Sequence, residues 1–402
     1  MPARRRLLVL NQYYWPGVEA TAHLLTELCE ALAADYAVTV VTGRLRGRED
    51  APDEETRNGV RVIRARSAVH DRSQLGRRGL NYVTYLGRAA ARALSLGRPD
   101  VILCMTDPPM VGALAVLLGR RYRVPVIVLS QDVFPEIAVE LKRLSNPVAV
   151  SVLGTITSFA LRRADRVVAI GETMGRRLEH KGVQSRRMRV IPNWVDTTTL
   201  TPRPRDNEWA RAHGLTEHFV VMHSGNVGHA QNLDNLIRAT TFVRDLDDLR
   251  AVIVGSGARH AAESALAERL EANVLFLPYQ PRELLPESLS SADVHFVGLQ
   301  RGLAGYVVPS RLYGILAVGR PVIAAVDGES ETARVVEASG CGLVIPPGRP
   351  DLLAATLREL HGGLHDLEEM GRRGRVYVTE TADRSVAFDR YRALLAEVTP
   401  RG

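Results

Sequence analysis

Cysteine is scarce. Cys29, Cys104 and Cys341 are far apart and odd in number, which excludes a disulfide framework and leaves no zinc-ligand spacing. Cys29 and Cys104 lie in apolar segments and read as small core residues. Long apolar runs are missing as well. The opening Met-Pro-Ala-Arg-Arg-Arg meets only four apolar residues before Asn11, too few for a signal-peptide core. No uninterrupted apolar run reaches the roughly 20 residues of a spanning helix, and the nearest approach, Val148 to Leu161, is broken by Ser, Thr and Gly. Cytoplasmic residence is the expectation. The chain has no G-x-x-x-x-G-K-[ST] loop, no G-x-G-x-x-G at its first turn and no G-x-S-x-G elbow, against P-loop NTP hydrolysis, dinucleotide binding and serine hydrolysis respectively. Its eleven histidines lack paired ligand spacing, so neither metal nor cofactor is expected. No helix-turn-helix, zinc-finger or RNA-binding signature supports a nucleic-acid partner.

What is present is ordinary in bulk and uneven in charge. Hydrophobic residues make up 46% and charged residues 24%, close to the averages for globular proteins. Residues 1–200 hold 30 basic against 19 acidic side chains, and residues 201–402 hold 22 against 26. The basic excess therefore belongs to the first half, although all but Lys142 and Lys181 of the basic residues are Arg throughout. Either composition has drifted or that half meets an anionic partner.

Short Val/Ile/Leu-rich runs alternate with helix-compatible stretches. The runs are 7–11, 37–43, 60–65, 101–105, 124–130, 167–170 and 188–192, then 219–224, 251–255, 274–278, 294–299, 321–325 and 342–345. Near-continuous apolar runs of this kind suit parallel strands buried on both faces. Two such series predict an α/β chain of two doubly wound Rossmann-like domains facing across a cleft, rather than one (β/α)₈ barrel. The Pro- and charge-containing stretch 201–207 reads as the linker, giving domains over 1–200 and 208–375, with a terminal helix over 383–398 able to fold back on the first.

In such folds ligands bind beyond the carboxyl ends of strands. The loop 11–21 carries three aromatics and Gly17, a backbone close-approach position; its aromatics suit either a sugar-binding wall or simple packing of the domain edge. Ser130–Glu136 places Gln131 and Asp132 after a strongly apolar strand, with Asp132 suited to orient or deprotonate a substrate hydroxyl, or to cap a turn. In the second half, Gly225 and Gly228 free a loop to cradle phosphate oxygens, and Gly255-Ser-Gly257 repeats the device. Ser310 suits the N-cap of a helix that Arg311 opens as a bidentate phosphate donor. Glu331 opens another helix, where its carboxylate can read ribose or sugar hydroxyls.

At these residues the chain resembles bacterial family 4 glycosyltransferases of the GT-B fold, of the kind that build capsule, O-antigen and exopolysaccharide repeat units. The marks are 11–22, 130–136, 167–173, 191–196, 224–234, 308–325 and 330–342, with Pro309-Ser310-Arg311 and Ala317-Val-Gly-Arg-Pro-Val322 the most specific. The resemblance implies a retaining, metal-independent transfer of a hexosyl, deoxyhexosyl or N-acetylaminosugar group from a nucleoside-diphosphate sugar. It puts Gly225, Asn226, Gly228, Gln231, Gly255, Pro309, Ser310, Arg311 and Glu331 on the donor, and Tyr279, in the loop 278–281, at the base. Asp132 falls at the catalytic or acceptor-orienting place, and Tyr14, Gly17, Glu19 and Gln131 at the lipid-linked or oligosaccharide acceptor. The family's paired Glu positions are held here by Tyr306 and Gly314, and its donor-loop Arg and Lys by Asn226 and Gln231. A second enzyme reading on the same fold is a sugar-nucleotide 2-epimerase, against which the absence of paired catalytic carboxylates and His at recognisable places counts; the departures at Tyr306 and Gly314 keep a third in play, a non-catalytic nucleotide-sugar-binding subunit. For a polyprenyl-diphosphate-linked acceptor the basic first half acquires a purpose: peripheral docking on the inner face of the cell membrane. Arg72, Arg77 and Arg78 are the expected contacts, with Arg44, Arg46, Arg48, Arg64 and Arg66 beside them.

Overall fold

The computed structural model describes residues 4–17, 20–44, 51–66 and 75–399, without the side chains of 20 and 75–78. Two compact units divide the chain: Met1–Ile191 with Phe388–Gly402, and Pro192–Ala387. The segment 201–207 is not a free linker. Arg205 pairs with Asp293, the Arg203 amide donates to Ser290 Oγ, and Asn207 caps the helix that follows, so these residues are fastened into the second unit. Its prolines and charges serve that docking, which composition alone does not distinguish from exposure.

The first unit runs β1 (Arg5–Leu10), α1 (Ala20–Leu32), β2 (Tyr36–Gly43), β3 (Glu54–Arg57), β4 (Val60–Ala65), α2 (Leu75–Ser95), β5 (Val101–Cys104), α3 (Val111–Tyr122), β6 (Val126–Ser130), α4 (Glu136–Glu140), α5 (Pro147–Arg163), β7 (Arg166–Ala169), α6 (Glu172–His180) and β8 (Met188–Val190). Its strand order is β3-β4-β2-β1-β5-β6-β7-β8, parallel except for the antiparallel β3–β4 pair. β3, Glu-Glu-Thr-Arg, has no apolar signature, and pairing with β4 alone makes it a strand. The predicted apolar runs of this half are the other seven strands. Their side chains are largely buried, as Leu7 to Leu10 and Val101 to Cys104 show, except in the edge strand β8, whose three residues are half-buried. The end of α15, introduced below, also belongs to this unit.

The second unit runs α7 (Glu208–Ala212), β9 (Phe219–Ser224), α8 (Asp234–Thr241), β10 (Leu249–Val254), α9 (His260–Arg269), β11 (Val274–Leu277), α10 (Leu285–Ser290), β12 (Val294–Gly298), α11 (Arg311–Ala317), β13 (Val322–Ala325), α12 (Glu331–Ser339), β14 (Gly342–Ile345), α13 (Pro350–His361), α14 (Leu367–Thr381) and α15 (Arg384–Val398). The order β11-β10-β9-β12-β13-β14 is parallel throughout. Successive residues feed opposite layers: Val221, Ala251 and Ile253 enter one core with Leu236 and Leu357, while Val220, Met222, Val252 and Val254 pack on Trp209 and Leu215. Burial on both faces is what continuous apolar strands require. Strand order reverses on either side of β1 and of β9, so the loops after these two strands occupy the switch points where doubly wound sheets take ligands.

Candidate functional site

At the switch point of the second unit, the loop after β9 is built on missing side chains. A Cβ on Gly255 would stand 1.9 Å from the Gly225 carbonyl oxygen, and one on Gly257 2.3 Å from that of Val227. Backbone hydrogen bonds lock the nested loops: Gly225 N to Val254 O (2.8 Å), Val227 N to Ser256 O (2.9 Å) and Arg259 N to Val227 O (3.0 Å). Gly255 and Gly257 thus hold the β9 loop in place through backbone packing. Gly228 donates its amide to Gln231 Oε1 (3.0 Å), so the Gln231 carboxamide closes the loop instead of standing open to a ligand. Asn226 stays exposed. Gly255→Ala should cost about 3 kcal/mol, because the new methyl meets backbone at a φ of +138° that other residues rarely adopt. For a unit of this size that is a melting point lower by roughly 6–12 °C. Gly328→Ala, whose Cβ meets nothing within 4 Å, is the control. Equal melting points for the two variants would show that the loops are not packed this way.

Arg311 occupies the space that Gly225 leaves. A Cβ at Gly225 (φ +134°) would lie 3.6 Å from Arg311 Cζ. On the other side, Arg311 Nη1 lies 3.0 Å from His223 Nδ1 and 2.7 Å from its Nε2. Burial and the adjacent guanidinium hold His223 far below its ordinary pKa, so it is a neutral imidazole beside a cation. Burial lowers Arg311 only to about 10, leaving it charged at neutral pH. No carboxylate among the described residues pairs with it. A half-buried guanidinium lacking a counter-charge, set against a glycine loop, is suited to take an anion. Sequence reasoning missed His223; the available signal was one polar residue inside an otherwise apolar strand, two positions ahead of the loop glycine.

The neighbouring positions divide. Ser310 is not an N-cap: it adopts the helical conformation (φ −62°, ψ −22°) and its side chain makes no cap hydrogen bond, because the turn begins one residue earlier, at Pro309. The cap that does form is at α12, where Ser330 Oγ accepts from Ala333 N and delivers Glu331 as the first helical residue. Glu331 is largely buried, with its carboxylate 3.7 Å from Arg334. Tyr279 is 62% exposed at the tip of its loop, which is fixed below by Trp209 Nε1 donating to Gln280 Oε1 (3.0 Å). Among the described residues, no group of three or more His, Cys, Asp or Glu side chains could hold a metal ion.

In the first unit, Asp132 is half-buried beyond β6 and lines a small cavity with Thr106, Ser130 and Thr157 among apolar neighbours. Gln131 is buried, its amide donating to Thr106 Oγ1 (3.2 Å). Tyr14 is no substrate wall. Its ring is entirely buried beside Cys29 of α1, and burial raises the phenol far above its ordinary pKa. Gly17 closes a turn by donating to Tyr14 O (2.8 Å), and Glu19 lies outside the described residues. The polar groups actually at this switch point are Asn11 Oδ1 and Gln12 Oε1, both buried without a donor among the described residues.

The two halves of the chain match two families in sequence, Glycosyl transferase 4-like domain over residues 19–194 and Glycosyl transferases group 1 over residues 206–376. The chain is a family 4 glycosyltransferase of the GT-B fold. It is 26% identical over 372 residues to the probable glycosyltransferase WbjE of Pseudomonas aeruginosa, covering 88% of this chain and 89% of that one. It is also 28% identical over 203 residues, half of each chain, to the putative colanic acid biosynthesis glycosyl transferase WcaI of Escherichia coli K12. Among solved structures, sucrose-phosphate synthase from Thermosynechococcus elongatus superposes with a TM-score of 0.76 at 19% identity, over 98% of this chain and all of that one. Anabaena HepE in complex with UDP-glucose gives 0.74 at 16%, over 98% and 99%. The two solved structures share the fold of this chain at 16% and 19% sequence identity.

No helix among the described residues is long and apolar enough to cross a membrane. The arginines expected to dock the glycosyltransferase divide as well. Arg44 and Arg66 both pair with Asp53, holding its carboxyl at about 2, while Arg64 is buried and bonded to Glu55 and to the carbonyls of Pro52 and Trp15. All three are ion-paired within the fold, sharing two acids on and beside β3. Arg46, Arg48 and Arg72, and the side chains of Arg77 and Arg78, lie outside the described residues.

Proposed function

We propose that the glycosyltransferase moves a sugar, with retention at the anomeric carbon, from a nucleoside-diphosphate sugar to a polyprenyl-diphosphate-linked glycan while docked on a membrane. The observation that carries this is the uncompensated Arg311 guanidinium against Gly225, at the switch point of the second unit. Breaking the bond between the anomeric carbon and the diphosphate leaves negative charge on the departing oxygen. A fixed guanidinium and loop amides stabilise it in a desolvated setting. The acceptor hydroxyl forms the new bond to that carbon from the same face, and its proton passes to the departing diphosphate oxygen. In the first unit, Asp132 orients the hydroxyl; in the second, exposed Tyr279 suits stacking on the nucleobase and Glu331 suits the ribose hydroxyls.

Incubation with a panel of UDP-, GDP- and dTDP-sugars and a polyprenyl-diphosphate-linked saccharide, read by mass spectrometry, tests it. The expected result is one donor consumed, with the acceptor heavier by one glycosyl unit. Donor converted without acceptor product points to an epimerase, and binding without turnover to a non-catalytic subunit; either outcome overturns the proposal.

A further inference from the structure

A histidine near the end of a central strand has a cost. β9 is paired on both sides, by β10 and β12, and His223 is fully buried there. Taking an imidazole out of water is unfavourable unless its nitrogens find partners. Those partners come from the donor loop and its cation. Arg311 Nη1, on α11, lies 3.0 Å from Nδ1 and 2.7 Å from Nε2, and the Asn226 carbonyl, in the loop after β9, lies 3.4 Å from Nε2. The Phe296 carbonyl of β12 also bonds the ring. A neutral imidazole has one N–H and one lone pair. A carbonyl can use only the N–H, and a guanidinium, which has no acceptor atom, can use only the lone pair. His223 therefore accepts from Arg311 and donates to backbone.

The guanidinium is held in two ways. Its Cζ, Nε and Nη1 stand 3.6, 3.8 and 3.8 Å from the place a Gly225 Cβ would take, so its plane lies flat against the loop. That contact restrains tilt but not rotation within the plane, which the bond to His223 fixes. Few side chains suit this second task. A carboxylate would hold Arg311 but neutralise it, a cation would repel it, and an aliphatic chain would leave a guanidinium N–H unpaired. An uncharged imidazole orients the cation and leaves its charge for a ligand. Burial and the adjacent guanidinium keep the ring uncharged, and burial holds His295 of β12, the other titratable group beside it, at about 4. The loop 224–234 contains no lysine or arginine, so charge neutralised at Arg311 would not be replaced there.

We infer that His223 is a positioning residue for the transfer: by accepting from Arg311 it aims the remaining guanidinium N–H groups at the donor diphosphate without supplying a counter-charge. The inference deepens the proposed function and rests on its reading of Arg311 as the diphosphate's cation. Because the same ring also bonds the Asn226 carbonyl, one side chain sets both loop and cation, and a ligand meets both already in place.

Titration calorimetry with whichever of UDP, GDP and dTDP the parent binds most tightly, paired with single-turnover rates, tests it. His223→Phe keeps a ring but offers no acceptor. Affinity should fall about tenfold, the cost of ordering one long side chain on binding. The rate should fall about 10–10²-fold, short of the loss for deleting the donor itself. His223→Gln restores an uncharged acceptor and should bring affinity back to within about threefold of the parent. His223→Glu neutralises the cation internally, so affinity should fall roughly 10²-fold or more with the fold intact by circular dichroism. Gln and Glu differ little in size, so their contrast reads charge even if the Phe variant does not fold. Between about pH 5 and 8 the affinity ratio of parent to His223→Gln should stay constant. A ratio that steps as an ordinary imidazole titrates overturns the inference. So does a Phe variant that binds and turns over like the parent, or Gln and Glu variants of equal affinity. Arg311→Ala separates the two readings. If it binds nucleotide like the parent, the proposed donor site fails; if it binds weakly while His223→Phe is unaltered, the positioning role alone fails.

Discussion

Replacing Arg311 with alanine should lower turnover roughly 10²–10³-fold and weaken nucleoside-diphosphate binding with it. The size follows from placement. The guanidinium is desolvated, stays charged at neutral pH, and has a neutral imidazole rather than a carboxylate as its close neighbour. An anion arriving there need not displace an internal counter-ion, so nearly all of the attraction is available to the ligand. Removing the side chain also leaves His223 facing a void, so the fold must be checked independently. Arg311→Lys separates the effects: it keeps a charge but loses the planar two-point grip, and should recover binding in part. Isothermal titration with UDP and GDP, alongside single-turnover rates, gives both readouts. Unchanged affinity in Arg311→Ala would place the diphosphate elsewhere.

Asp132→Asn should lower turnover roughly 10²-fold or more and leave nucleotide affinity near that of the parent. Asp132 belongs to the first unit and Arg311 to the second, so the two substitutions probe different substrates. The amide is nearly isosteric and can still accept a hydrogen bond from a hydroxyl, but it removes the negative charge that holds the acceptor hydroxyl in place before its proton passes to the departing oxygen. Asp132 also lies in a loop held by Ser130 Oγ donating to its own carbonyl (3.1 Å), a bond the substitution preserves. A fall in kcat with an unchanged Kd for the nucleotide is therefore the diagnostic pattern. Equal loss of nucleotide affinity would contradict the division of donor and acceptor between the units.

The strands were legible because parallel sheets buried on both faces demand unbroken apolar runs, and Val101–Cys104 or Val252–Val254 can be little else. β3 was not, since its four polar residues become a strand only through β4. Glycine positions marked the β9 loop correctly but not what each glycine does: Gly225 makes room for Arg311, whereas Gly255 makes room for the Gly225 carbonyl. A run of aromatics pointed at loop 11–21, yet Tyr14 turns inward, because a phenol four residues past a buried strand can fill core as readily as line a site. Pairing is the hardest property to read from one chain. That Arg44, Arg64 and Arg66 are spent on Asp53 and Glu55 depends on a hairpin whose geometry the sequence does not announce.

The first unit is closed by the last residues of the chain. Glu397 bonds to Arg166 and Arg189, Arg392 to Asp35, and Leu394 and Leu395 are buried. Because a ribosome delivers the chain from its amino end, this unit must wait, one helix short, while the whole of Pro192–Ala387 is made. The later-made unit is contiguous and can finish folding first. Truncation shortly after residue 387 would therefore damage the portion of the protein synthesised earliest, and an acceptor-side fragment can be isolated only by splicing the terminal segment back onto residue 191.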